Sequence, residues 1–577
     1  MVVKKWCAQN KETILVMMLL LCFCGYNICK SYGFVLFPDE FGYWAYASML
    51  AGYDWSDIVS LGSYYSYGYS LILFPIFVLC KNPVVAYRVA IAVNFILLGV
   101  CFLVWKKLIG TLFEHTSEKK KVFYVAIAMF YPSWLFYGRT TLAEIVVVTL
   151  YATICLLLYD YLEHHRMSTL IGLVLALVYI HFVHMRTIAV LIACLMTLAV
   201  YYVVKKKRIR QCMMLFGTVA IIFMLGYGLK EWITGNVYAT SDSVNTNDYA
   251  GQMGKLAYMF TGEGFWNLIA SVAGKTLYLG IASFGLAYFG IWHAVKKVFI
   301  GIKGWKEKQE ITTDKWFCLF ILLATVGAIM VNAIFTIHPS RVDALTYGRY
   351  HEYVIPVLII FGLIEISENS KVCRKLVIFL TIEAIMTWLV TWSLSTYGQT
   401  NMHGYMMIGM SYLYQLGDFE PIRFHWQAYG LGVILTCMVT VGLQWMNRRK
   451  GVEVCMILVV ALEMLLAVRA GSLYLDASAL GAYRDTKIVQ KMEELQEEQD
   501  RDIYYLLTDK DYALISILQF MMRDEDIHII SKEDYEMQKP QEEDLLLSDY
   551  RNPLSEELQE QYDSFMVNGH FVLFYND

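Results

Sequence analysis

Ser70-Leu71-Ile72-Leu73-Phe74-Pro75-Ile76-Phe77-Val78-Leu79-Cys80 is the stretch on which the topology of the chain turns. It is apolar throughout, yet far shorter than the ~20 residues a helix needs to cross a bilayer, and Pro75 sits in its middle. If it spanned, Trp105-Lys106-Lys107 would lie outside and every later loop would invert. If it is re-entrant or juxtamembrane, the second span runs from about Pro83 to Trp105, and Lys106 and Lys107 are cytoplasmic.

The second choice makes the charge pattern consistent. The cytoplasmic links then carry Lys106, Lys107 and Lys119–Lys121, next His164, His165 and Arg166, and then Lys205–Lys207, Arg208 and Arg210. Lys296, Lys297, Lys303, Lys306 and Lys308 follow, then Lys371, Arg374 and Lys375, and finally Arg448, Arg449 and Lys450. The intervening turns are poorer in clustered base, as the positive-inside rule requires. About thirteen spanning helices result. The first, about Thr13 to Ser31, follows Lys4, Lys5 and Lys11, so the N-terminus is cytoplasmic. This opening resembles a signal peptide, but no small-residue cleavage site follows, and it is read as a retained helix.

Composition agrees. The 577 residues are 58% hydrophobic and 17% charged, with mean hydropathy +0.47, where a soluble chain carries about a quarter charged residues. Lipid leaves no water for stray backbone groups, so the spanning elements are helices. The 13 cysteines fall mostly within apolar runs, with no CxxC or Cys/His zinc spacing, which suits small apolar filler. Nothing points to nucleic acid as a partner.

The last hundred or so residues differ. Ile503–Leu507, Ile527–Ile530 and Phe571–Tyr575 have strand character, Asp511–Arg523 has helical spacing, and Glu493–Asp502 is a charged helix. The expected fold class is therefore an all-α polytopic membrane protein with a small extracytoplasmic α/β C-terminal domain. The membrane domain spans 1–470, with a first outer loop at 32–67, and the soluble domain spans 471–577.

Polar chemistry collects at the outer ends. The first loop holds Phe37-Pro38-Asp39-Glu40-Phe41-Gly42-Tyr43-Trp44 and a tyrosine series with Tyr64, Tyr65 and Tyr67. Arg139-Thr140-Thr141-Leu142-Ala143-Glu144 opens helix four, His181, His184 and Arg186 follow helix five, and Arg341 and Gly348-Arg349-Tyr350-His351-Glu352 follow helix nine. Charges at membrane depth are expensive and usually face a cavity with a function. Ordinary roles compete at each position. Asp39 and Glu40 suit a helix start, Glu144 opens a helix, Arg349 can snorkel, and the tyrosines can form an interfacial belt. His181 and His184 lack a third ligand in sequence and fit a cavity-lining pair better than a metal site.

An Asp-Glu in the first outer loop, a short apolar juxtamembrane piece, Arg-Thr-Thr-Leu-Ala-Glu opening helix four, and Gly-Arg-Tyr before a Pro-containing helix (Tyr353-Val354-Ile355-Pro356-Val357) together resemble the GT-C superfamily. These are glycosyltransferases that use polyprenyl-phosphate sugars, among them the aminoarabinose transferases of lipid A and the protein O-mannosyltransferases. The resemblance covers about Thr13 to Arg469. It implies a first-loop carboxylate at the reaction centre, here Asp39 with Glu40 beside it. It implies arginines on the departing phosphate: Arg349, Arg139 and Arg186 with Tyr350, and more weakly Arg88. Glu144, Tyr64, Tyr67, His184 and Arg341 are then cavity or acceptor residues. The expected partners are a polyprenyl-phosphate-linked sugar, an extracytoplasmic glycan, lipid or protein acceptor, and the lipids of the cell membrane. No cofactor is assigned, and a divalent cation at the first-loop carboxylates is left open. The aminoarabinose enzymes carry a Lys-Pro-Pro-like element where this chain has Tyr64-Tyr65-Ser66-Tyr67-Gly68-Tyr69-Ser70, so a phosphate-binding lysine does not carry over.

Two other functions fit a polytopic chain. A transporter or flippase of lipid-linked sugars predicts inverted repeats and broken helices near the midplane, and neither is evident in the sequence. A lipid-linked glycan polymerase or ligase usually relies on one large late outer loop, whereas the loop from about Ser395 to Trp426 is moderate.

Overall fold

The computed structural model describes residues 10–36, 39–205, 209–239, 249–338, 341–369, 371–413, 420–448, 452–476, 486–507, 512–537 and 540–576. Phe37, Pro38, Pro339, Ser340 and several of the basic residues named above lie outside them.

Nine helices among the described residues are long and apolar enough to cross a membrane, from Lys11–Ile28 and Pro83–Leu112 to Pro421–Trp445 and Glu453–Asp476. The number becomes ten if Gly262–Ala282 and Leu286–Lys306, bent by 108°, form one broken span. The sequence count of about thirteen included apolar runs that fold as shorter pieces. Pro132 divides one into Glu118–Met129 and Pro132–Tyr137, because a proline lacks the N–H for the helical ladder. Met167–Val183 has 17 residues and Ile355–Glu368 has 14. Ser70–Leu79 is a 10-residue helix, as its length demanded. The 108° bend was not foreseen: Phe284 and Gly285 both take positive φ there, and a bulky residue in that region gives no warning in the sequence.

The tail forms a five-stranded sheet of order β2-β1-β3-β5-β4, with β1 Ile503–Leu506, β2 Ile527–Ile530, β3 Leu545–Asp549, β4 Ser564–Asn568 and β5 Phe571–Tyr575. β1 pairs in parallel with β2 and β3, while β5 pairs antiparallel with β3 and β4. Helix Tyr512–Met521 lies within the β1–β2 crossover, the connection a parallel pair requires. β3 is buried along its whole length, as a central strand should be.

Short, non-spanning pieces assemble the region of interest. Trp44 of helix Asp39–Leu50 donates from Nε1 to Thr141 Oγ1 at 3.0 Å, and Met185 N donates to Ser66 Oγ at 3.2 Å. Gly348 N and Arg349 N both donate to Met406 O, at 3.0 and 3.1 Å. First loop, helix-four turn and His184 turn thus meet, and the 341–354 loop is anchored on the segment Gly404–Leu413.

Candidate active site

Asp39 and Glu40 are adjacent on one helix, so their side chains leave it about 100° apart and cannot serve the same partners. Glu40 turns inward and is fully buried. Its Oε1 accepts from Val35 N and Leu36 N, both at 2.9 Å. Its Oε2 accepts from Tyr87 OH at 2.9 Å, Thr141 N at 2.6 Å and Thr141 Oγ1 at 2.8 Å. Five donors saturate this carboxylate. It ties the first loop to the helix-four turn, which is a structural task.

Asp39 turns the other way. Its Oδ1 accepts from Tyr65 OH at 3.0 Å, and its Oδ2 is ion-paired with Arg349 Nη1. Gly42 makes room for this, since a Cβ there would fall 2.1 Å from Tyr65 Cδ2. Arg349, its side chain 2% exposed, also engages Glu144 Oε1 through Nε. One guanidinium therefore joins two carboxylates that lie 105 positions apart in the chain (39 and 144). Glu144 Oε2 is buried with no hydrogen-bond partner among the described residues.

Arg186 is held differently. Its guanidinium lies between the rings of Phe335 and Tyr350, at 3.4 and 3.6 Å from their centroids. Among the described residues it forms no ion pair, and its buried Nε has no partner. Tyr350 stacks on Tyr347 at 4.4 Å, which fixes the ring that supports Arg186. His184 stands beside both, and burial, then Arg186 and Arg349, push its imidazole well below the usual range, so it is neutral.

Two clefts open on this cluster and share His184, Arg186, Arg349 and Tyr350. One is walled by Asp39, Tyr43, Tyr64, Tyr65 and Ser66; the other by Trp134, Glu144, Val147 and Tyr353. Of the residues singled out in the sequence, Asp39, Glu144, Arg186, Arg349, Tyr350, His184 and Tyr64 come together here.

The others are placed elsewhere. Glu40 faces its five donors rather than a cleft. Arg139 is ion-paired with Asp476 at the end of the last span, so its charge is already answered. Arg341 pairs with Asp343 at 2.9 Å. Tyr67 stacks on Phe182 at 5.3 Å and donates to Gly226 O at 3.1 Å. Arg88 donates from Nε to Ser31 O at 2.9 Å. With Glu40 saturated, the Asp39–Glu40 pair offers only Asp39 to a cation, and no group of three or more His, Cys, Asp or Glu among the described residues is placed to hold a metal ion.

Two buried groups near the site were given no role from the sequence. Glu352 is fully buried and accepts at Oε1 from Ser133 Oγ at 2.5 Å, Tyr131 OH at 2.8 Å and Tyr278 OH, while Oε2 has no partner. Lys275 donates to Ser271 Oγ at 2.9 Å, Thr336 Oγ1 at 2.6 Å, Ala344 O and Leu345 O, pinning the loop that leads to Arg349. A lone lysine inside the apolar run 262–282 is the signal that marks it.

No family model matches the chain, and no curated protein matches it. Its fold does match solved structures. A crystal structure of ArnT from Cupriavidus metallidurans bound to undecaprenyl phosphate superposes with a TM-score of 0.54 at 12% identity, covering 98% of each chain. The apo crystal structure of ArnT from the same organism gives 0.53 at 13% identity over the same share. In fold the protein is thus similar to ArnT along nearly its whole length, a polytopic helical architecture with a small C-terminal β-sheet region.

Proposed function

We propose that the protein is a membrane glycosyltransferase that moves a sugar from a polyprenyl-phosphate donor to an extracytoplasmic glycan, lipid or protein acceptor. The observation that carries this reading is the pairing of Arg349 with Asp39 and Glu144 on the wall of clefts that Arg186, without an ion-pair partner among the described residues, also lines. A buried cation held only by aromatic faces favours an anion, and a phosphate matches the guanidinium fork. That a structure of ArnT holds undecaprenyl phosphate supports the same class of donor here. The basic clusters of the opposite loops support an extracytoplasmic site, away from cytosolic nucleotide sugars.

In this reading the acceptor hydroxyl attacks the anomeric carbon, its proton passes to Asp39, and the bond from that carbon to the phosphate oxygen breaks. The leaving phosphate takes the bonding pair, and Arg349 and Arg186 balance its charge. Arg349 also times the step. Each contact that the phosphate takes from the guanidinium is one that Asp39 loses, which frees the carboxylate for the incoming proton.

Asp39→Asn tests the assignment. The side chain keeps its size and its contact with Tyr65, but it no longer accepts a proton. Release of polyprenyl phosphate from membrane-extracted lipid-linked sugars should fall by about 10²–10⁴-fold, with the protein still folded in lipid nanodiscs. Retention of the wild-type rate would remove Asp39 from the reaction.

A further inference from the structure

The tail domain does not stand clear of the membrane part. Phe520, 1% exposed, inserts among aromatic side chains of the first loop. Its ring lies 4.6 Å from Phe34, 5.1 Å from Trp44 and 6.5 Å from Trp55. Three residues on, the Arg523 guanidinium covers the Phe77 ring at 3.8 Å and donates from Nη1 to Cys80 O at 2.8 Å. Cys80 caps the C-terminus of helix Ser70–Leu79, where a cation also meets the negative end of the helix dipole. Trp55 Nε1 returns a hydrogen bond to Arg523 O at 3.2 Å. Asp57 accepts from Ile529 N at 3.2 Å, covering the free edge of β2.

Of these contacts Phe520–Trp44 reaches the helix that carries Asp39 directly, and Arg523 reaches it through Phe77, whose ring lies 6.3 Å from that of Trp44. Asp39–Leu50 has 12 residues, too few to hold its shape unaided in water. Phe41 stacks on Trp55 at 5.4 Å, and Trp44 hydrogen-bonds Thr141, three residues before Glu144. Without Phe520, the aromatic faces of Phe34, Trp44 and Trp55 would have no cover on that side.

We propose that the tail domain is a positioning element of the site, in which Phe520 and Arg523 hold helix Asp39–Leu50 in the pose from which Asp39 reaches Arg349. The effect on turnover rests on the transferase reading; the effect on the helix does not. Phe520→Ala and Arg523→Ala are made in the full chain in nanodiscs, and amide hydrogen exchange is followed by segment. Protection over 39–50 should fall at least tenfold, while Glu144–His164 and Thr313–Phe335 stay as in the wild type. Arg523→Lys, which keeps a donor for Cys80 O, should recover most of the protection, and Phe520→Leu, which keeps apolar filling, should lose less than the alanine variant. In the transfer assay kcat should drop about tenfold with KM for the lipid donor within twofold. Unchanged exchange over 39–50 in both alanine variants overturns the proposal, as does loss of protection spread evenly over all the helices. A wild-type protein that shows no transfer fails the functional reading alone, because the exchange measurement still decides the positioning role.

Discussion

Arg349 and Arg139 stand in two regions that look alike on paper. Each is a buried arginine in a Gly-Arg pair at the end of an apolar run, and each is ion-paired. The loop around Arg349 holds its guanidinium against two carboxylates at the wall of two clefts. The turn around Arg139 sends its guanidinium to Asp476 and the end of the last span, where a Cβ on Gly471 would sit 1.9 Å from Nη1. Charge and burial are the same; what differs is whether a cleft adjoins the guanidinium. An arginine against a cleft can exchange a carboxylate for a ligand's anion, and one packed into a helix end cannot.

The strongest way to break that contrast is Arg349→Ala. It leaves Asp39 and Glu144 close together without their shared counter-charge, and it removes the cation facing the leaving phosphate. Turnover should fall by at least about 10²–10³-fold, the usual cost of one transition-state donor. Stability should fall as well, by about 3–5 kcal/mol if the stranded carboxylates stay ionised. Urea or thermal unfolding beside the transfer assay separates the two losses. A variant with normal turnover would show that Arg349 is only a strut.

Arg139→Ala should do the reverse. Asp476 is 27% exposed at its side chain, so it can turn to water when its partner is lost. The expected cost is about 1–2 kcal/mol of stability, within the ordinary range for a point substitution. Turnover should stay within a factor of two or three at a temperature where the variant is folded. A large fall in kcat without loss of stability would return Arg139 to the phosphate role that the resemblance implied for it.

Why the sequence treated these arginines as equals is a matter of distance. Arg139 and Asp476 are 337 positions apart, and no local pattern connects them. Asp39 was legible because an acidic pair in a wet aromatic loop stands out against apolar runs, and the helical period explains why only one of the pair reaches the cleft. The short helix Ser70–Leu79 was legible from its length. Glu383 and Glu463, both buried inside spans, were passed over although a lone charge in a long apolar run is a signal, as at Lys275; among the described residues neither Glu383 oxygen has a hydrogen-bond partner. β3 and β4 were missed for another reason. Leu545-Leu546-Leu547 follows Glu542-Glu543-Asp544, and the β4 alternation lasts only five residues, so neither outweighs the acidic composition around it.

Glu352 joins the two regions, and it offers the finest test. It lies three residues past Arg349, yet its hydrogen bonds run to Tyr131 and Ser133, in the turn that leads to Arg139. Burial pushes its carboxyl up to about 7 from an ordinary 4.5, against the three hydroxyls that favour its charge. A folded-state value above the unfolded one gives stability that is fully present below about 4.5 and is lost as pH rises through about 7. Glu352→Gln keeps a neutral side chain of the same size and should erase that slope. Between pH 5 and pH 8 the wild type should lose about 1–2 °C of apparent Tm that the variant keeps, because one kcal/mol moves so long a chain by less than the about 2–4 °C seen for 150–250 residues. If both proteins lose Tm in parallel across that window, Glu352 is not the group that titrates. If only the wild type does, the carboxyl between the two arginine regions enters the fold as the neutral acid, and the anions near Arg349 are Asp39 and Glu144 alone.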